Sequence, residues 1–339
     1  MKFLKYLIFL LLILVIGFAI YIAVQPNEFD VARTRNIQAP AEVVFNNVND
    51  FKNWPAWSAW LEKNPETKLS FPEKTSGVDG YYTWEDEDGI GKMTTTGVNA
   101  PTTIEQEMQF GDFPPSKVSW DFNSGEKGST DITWRMQGDD LPFIMKFFGA
   151  ISGGFENMLG PDFERGLEKL DSIVVASMKK YAIVINGVTQ HGGGYYLYNT
   201  TSCKISDYQA KMEEMFPKVS AYTAEKNIRL AGPAFQLVHK YDEENNAIIF
   251  SCAVPTSERI VTDNPDILTG RLQPFKALKS TLKGDYSNLS EAWQTTMKHI
   301  EDNGMKFIES GPMMESYLTE PRTTPNPADW VTEIFIAIE

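Results

Sequence analysis

Cysteine, histidine and positive charge are all scarce in this chain. Two cysteines in 339 residues, Cys203 and Cys252, are no disulfide framework. They form either a single bridge or two small buried apolar residues. The 3 histidines, His191, His239 and His299, are scattered, and no Cys or carboxylate cluster accompanies them, so no metal is expected. The 45 acidic residues outnumber the 31 basic ones, for a formal net charge of −14. Phosphate recognition needs a basic face, so nucleic acid is not expected as a partner. No segment reads as a DNA-binding helix-turn-helix. No phosphate loop or dinucleotide fingerprint is present, and no cofactor is expected.

Charge is missing altogether from Tyr6 to Val24, a run of 19 residues. As a helix it spans roughly 28 Å, close to the ~30 Å hydrocarbon core of a bilayer. Its Leu, Ile, Phe and Val content favours insertion by roughly 5–10 kcal/mol. Lys2 and Lys5 would also serve the basic region of a signal peptide, with Gly17-Phe18-Ala19 as a small-x-small cleavage site. The apolar run continues past that point, which favours a retained anchor, and no cysteine follows it for lipid attachment. Lys2, Lys5 and the amino terminus place the N-terminus inside and the body on the outer side of the membrane. Arg33 and Arg35 weigh the other way. The expected organisation is an anchor at 1–26 and two soluble domains at 27–180 and 181–339, since single cores stop growing near 250–300 residues.

The first soluble segment opens with a strand at 32–37 and a helix started by Pro40, followed by Trp54, Trp57 and Trp60 at a spacing of three. Period-two alternation then appears three times. Ile104, Gln106, Met108 and Phe110 form one set, Val118, Trp120 and Phe122 a second, and Ile132, Trp134 and Met136 a third. This is the pattern of an antiparallel sheet with one apolar face. A helical stretch from Leu141 to about Lys180 carries the stripe Phe163, Leu167, Leu170, Val174 and Met178. Asp86-Glu87-Asp88-Gly89 has the acidity of a calcium loop but not its alternating ligands, and reads as a hairpin turn.

The runs Asn36-Ile37-Gln38-Ala39-Pro40-Ala41-Glu42-Val43-Val44-Phe45 and Asp50-Phe51-Lys52-Asn53-Trp54-Pro55-Ala56-Trp57-Ser58 resemble the SRPBCC (START-like, polyketide cyclase/dehydrase) superfamily. Gly160-Pro161-Asp162-Phe163-Glu164-Arg165-Gly166-Leu167 looks like the start of its final helix. The resemblance implies a helix-grip fold around a hydrophobic ligand cavity, and Trp84, Trp120 and Trp134 are the residues placed near it. It implies no single reaction.

In the second segment Ser206-Asp207-Tyr208-Gln209 reads as a capping box, and Pro217 as a kink or break in the helix that follows. Strands at 235–241 and 247–254 flank a polar hairpin. A strand near 274–282, an N-cap at Ser287, a stripe of Leu289, Trp293, Met297 and Ile300, and strands at 313–319 and 330–338 repeat the plan. Met313, Glu315 and Tyr317 share one strand face, which sets a carboxylate in soft, aromatic surroundings. Such a carboxylate attracts cations or holds a raised pKa. His191-Gly192-Gly193-Gly194 looks like an oxyanion loop without a Gly-x-Ser-x-Gly elbow, and reads as a flexible turn.

Gly232-Pro233-Ala234-Phe235, Tyr241-Asp242-Glu243-Glu244, Gly284-Asp285-Tyr286, Glu315-Ser316-Tyr317 and Val331-Thr332-Glu333-Ile334-Phe335-Ile336 resemble the GyrI-like (AraC-type effector-binding) family. The resemblance implies a duplicated βαββ fold and a groove for small, often cationic or aromatic molecules. It maps Glu315 to the pocket carboxylate and Tyr286 to a pocket tyrosine; Trp293, Met313 and Tyr317 are placed beside them as ligand-binding residues, and Glu333, which also matches the family pattern, is read as structural. Some members are hydrolases with a Trp-x-Glu motif; here Met313-Met314-Glu315 stands in its place. The expected chain is an α+β, membrane-anchored binder of hydrophobic or cationic small molecules, with no catalytic residue assigned. The alternatives are a hydrolase or cyclase-type enzyme using Glu315 and Tyr286, and an envelope interaction scaffold.

Overall fold

Every side chain from Phe3 to Val24 is apolar except those of Lys5 and the two tyrosines, so the backbone can satisfy its polar groups only internally. It does so as α1 (Lys2–Ala23), almost wholly unpacked along its length. The computed structural model describes residues 2–87 and 89–339. It divides into two units, Met1–Ser177 and Met178–Glu339.

In the first unit β1 (Phe29–Ile37) and α2 (Ala41–Asn49) are followed by a 3-10 turn at Phe51–Ala56 and a short α3 (Ala59–Lys63). Then come β2 (Lys68–Ser70), β3 (Tyr81–Asp86), β4 (Gly89–Asn99), β5 (Thr103–Phe110), β6 (Ser116–Ser124) and β7 (Thr130–Gly138). The unit closes with α4 (Phe143–Ile151) and α5 (Phe155–Met178). The strands form an antiparallel sheet in the order β1-β7-β6-β5-β4-β3-β2. The alternation read from sequence is the inward face: Ile104, Val118, Trp120, Phe122, Ile132 and Trp134 are all buried. The α5 stripe Phe163, Leu167, Leu170 and Val174 is buried against it. β3 and β4 pair up to Asp86–Gly89, a hairpin whose Asp88 lies outside the described residues.

One expected boundary is wrong. The final helix does not begin at Gly160-Pro161 but at Phe155, and it passes through both residues. Arg33 explains how. Its guanidinium bridges Glu156 (2.7 Å) and Glu164 (2.5 Å), one on each side of the proline. A Cβ at position 160 would sit 2.1 Å from Arg33 Nη2, so a larger residue there would push the guanidinium out of this position. The helix thus passes through a proline with an ion pair on each side of it and its apolar stripe buried on the sheet.

In the second unit β8 (Ala182–His191) and β9 (Gly194–Lys204) are joined by the glycine turn, where Gly193 and Gly194 have φ of +69° and +135°. α6 (Tyr208–Glu225), β10 (Phe235–Asp242), β11 (Ala247–Thr256) and β12 (Leu268–Leu272) follow. β13 (Phe275–Lys283), α7 (Leu289–Asp302), β14 (Met313–Tyr317) and β15 (Val331–Ala337) complete the chain. The sheet order is β12-β9-β11-β10-β14-β15-β13-β8. The blocks β9-α6-β10-β11 and β13-α7-β14-β15 therefore meet at the β10–β14 pair as two equivalent halves.

Local readings fail at three helix ends or turns. Ser206 donates to Asp207 and caps nothing, so the capping box does not form. Pro217 does not break α6. Ser287 is not an N-cap: Asn288 precedes α7, and Asp285 accepts from the Ser287 amide at 2.8 Å. Cys203 and Cys252 are free thiols four residues out of register on neighbouring strands, since Ile248 faces Cys203 and Asn199 faces Cys252.

Candidate ligand site

A strand alternates its side chains, so β14 presents Met314 and Ser316 to one face of its sheet and Met313, Glu315 and Tyr317 to the other. The second face lies under α6 and α7. Glu315 is only 3% exposed there. Its Oε1 accepts from Trp293 Nε1 on α7 at 2.5 Å, and its Oε2 accepts from the Tyr317 hydroxyl at 2.6 Å. Among the described residues no Lys, Arg or His is paired with it. A carboxylate stripped of water without a counter-ion is costly. Burial accordingly pushes the Glu315 pKa up, and the Tyr317 and Trp293 hydrogen bonds pull it only partly back.

The surroundings are aromatic. Tyr317 meets the edge of Phe216 at 5.5 Å and Tyr286 at 5.5 Å, and Tyr286 lies 4.6 Å from Trp330. The Tyr286 hydroxyl is pushed up to about 12, first by burial and then by the Glu315 charge. Burial and the same charge raise the thiol of Cys252 and the phenol of Tyr208 as well. Across the central strand pair, Gln236 stands opposite Glu315, with its Oε1 3.4 Å from the Tyr317 hydroxyl.

The structure therefore brings together Glu315, Tyr317, Tyr286 and Trp293, with Met313 on the same strand face. Phe216, Tyr208, Gln236 and Trp330 join them and were not singled out from sequence. Phe216 was legible only as part of a helical stripe, and Gln236 only through its pairing with β14. Glu333 is instead ion-paired to Lys279 at 2.6 Å. On the other face of β14, Met314 and Ser316 line a pocket of about 200 Å³ with His191, Tyr195, Tyr196 and Phe235.

In the first unit Trp120 and Trp134 stack at 4.5 Å, and Trp134 stacks on Phe163 of α5 at 4.3 Å. Trp54 and Trp57 close over them at 5.9–6.4 Å. The Trp120 indole donates to Gln106 Oε1 at 2.9 Å. These rings fill the space between sheet and helix. Trp84 stands apart from them on β3, half-buried beside Tyr82 at 5.4 Å and Phe110 at 6.5 Å.

Comparison with known proteins agrees with both halves. Residues 28–174 match the family model described as polyketide cyclase / dehydrase and lipid transport. Residues 195–339 match the GyrI-like small molecule binding domain. A search of curated proteins finds no match. Among solved structures, the EcmrR C-terminal domain is 17% identical over 47% of this chain and 98% of that one, with a TM-score of 0.41. A protein from Chromobacterium violaceum is 16% identical over 44% and 98%, with a TM-score of 0.31. SAV2435 bound to tetraphenylphosphonium is 12% identical over 47% and 94%, with a TM-score of 0.35. The chain is an α+β protein that carries a polyketide cyclase/dehydrase-type domain followed by a GyrI-like small-molecule-binding domain, behind an N-terminal apolar helix.

Proposed function

We propose that this chain binds small hydrophobic cations in its second domain, at a membrane surface. The observation that carries the reading is Glu315, a buried carboxylate with two neutral donors and, among the described residues, no counter-ion, walled by aromatic rings. A bound cation would supply the missing charge, and the faces of Tyr286, Tyr317 and Trp330 would stabilise it by cation–π attraction. A flat or bulky aromatic cation fits this lining better than a small hydrated ion, because the lining offers apolar area and few polar groups.

Tetraphenylphosphonium has this chemistry and serves as the probe. Calorimetry on the full chain in detergent is expected to show binding that Glu315→Gln abolishes; equal affinity in the variant would overturn the assignment. The cation needs the ionised carboxylate, whereas burial favours the protonated one. Affinity is therefore expected to rise with pH through the raised Glu315 pKa, and binding to release a proton.

Membrane attachment is assigned to Phe3–Ala23, with a mean hydropathy of 2.9 and only 6% of its most apolar window buried. A signal sequence passes the same test of length and composition. N-terminal sequencing of the protein from membranes separates the two: a retained anchor starts at the chain's own N-terminus, and a cleaved one starts after Ala19.

A further inference from the structure

The helix α4 leaves a large apolar face uncovered. Phe143, Ile144, Phe148 and Ile151 are 43–56% exposed, and 144, 148 and 151 fall at i, i+4 and i+7, on one side. The face contains no charge. The only charged residue of α4, Lys146, turns back so that its Nζ lies 3.5 Å from the carbonyl of Ala23, the last residue of α1. Two further contacts tie α4 and the residue run before it to α1 and the residue run after it. Phe147 meets Phe18 edge-on at 6.2 Å, and the Leu141 amide donates to the Asn27 carbonyl at 3.0 Å. Phe18 in turn stacks on Tyr21 at 6.3 Å.

We infer that α4 is an interfacial helix that lies in the bilayer surface where α1 leaves it, with Phe143, Ile144, Phe148 and Ile151 in lipid. This rests on α1 being a retained span. The occupant follows from continuity. α1 is exposed and apolar up to Tyr21, and α4 is strapped to its last turn, so the bare face of α4 sits at the depth where the hydrocarbon ends. Tyr21, stacked on Phe18, is the kind of amphipathic ring found at such boundaries. A helix of about 14 Å with one apolar face and a snorkelling lysine suits that layer and is too short to cross it. The absence of charge from the face makes the contact one with acyl chains rather than with anionic headgroups.

The test places the photo-cross-linking residue benzoylphenylalanine, in separate full-length proteins, at Ile13 within α1 and at Phe148 on α4. The proteins are reconstituted in phosphatidylcholine nanodiscs, irradiated, and scored by intact mass for a lipid adduct. Adducts at both positions support the inference. An adduct at Ile13 with none at Phe148 overturns the α4 assignment and leaves the span standing. No adduct at Ile13 overturns the span, and the α4 assignment with it. Because Phe148 is exposed in the folded chain, its replacement leaves folding intact; unchanged thermal unfolding of the Phe148 protein checks this.

Discussion

The interiors of the two domains are both built from aromatic rings gripped between a sheet and helices, yet they differ in one group. In the first, Trp54, Trp57, Trp120, Trp134 and Phe163 stack on one another, and the polar partner among them is the neutral Gln106. In the second, Tyr286, Tyr317, Phe216 and Trp293 surround the carboxyl group of Glu315. Rings alone make a core. A buried carboxyl group among rings, held toward its neutral form by burial, is what the proposed cation would ionise and balance.

The largest expected effect tests the core half of this contrast. Trp134→Ala deletes a fully packed indole and is expected to destabilise the first domain by about 3–5 kcal/mol, measured by chemical denaturation, while tetraphenylphosphonium affinity in the second domain stays the same. A loss below about 1 kcal/mol would show that the tryptophans line a usable cavity instead.

Tyr317→Phe tests the other half. It removes a hydrogen bond to the carboxylate of a size near 1.5–3 kcal/mol, so cation affinity at neutral pH should fall roughly tenfold or more. The pH midpoint of binding should move upward, since that bond holds the Glu315 pKa down. An unmoved midpoint would remove Tyr317 from the site.

A smaller effect is the pH dependence of stability. Glu315 has a raised pKa in the folded chain, so between its ordinary value of 4.5 and that raised value the folded state binds more protons than the unfolded one. Stability from this group is therefore present at pH below 4.5 and lost as pH rises through the folded pKa. Glu315→Gln should match the parent at low pH and exceed it at higher pH; parallel stability curves would mean the carboxylate is not desolvated. The smallest change expected is Cys203→Ser, within about 0.5 kcal/mol by thermal melt, as for other free and partly exposed side chains.

Much of this architecture was legible in the sequence because it rests on period. The strands from Thr103 to Gly138 largely alternate, the α5 stripe repeats at helical spacing, and α1 is uncharged from Tyr6 to its end. What failed was punctuation. Pro161 read as a helix start and Pro217 as a kink or break, yet both lie inside helices, and Arg33 pairs with Glu156 and Glu164 on either side of Pro161. Ser206 and Ser287 read as caps, but each sits in a 3-10 turn just before its helix. In the candidate site, Glu315 and Tyr317 could be read from one strand, whereas Gln236 and Phe216 belong to the other half and reach them through the pairing of β10 with β14, and Trp330 arrives through the pairing of β14 with β15. No local pattern announces that pairing.

That pairing has a chemical consequence of its own. The backbone at the seam repeats itself, but the side chains do not: a carboxyl group on β14 faces a carboxamide on β10. A molecule lodged there meets a duplicated scaffold with a single electrical pole. If the proposed cation binds there, its charged end would meet Glu315 and its neutral end Gln236, so a two-fold scaffold would hold its guest in one direction only.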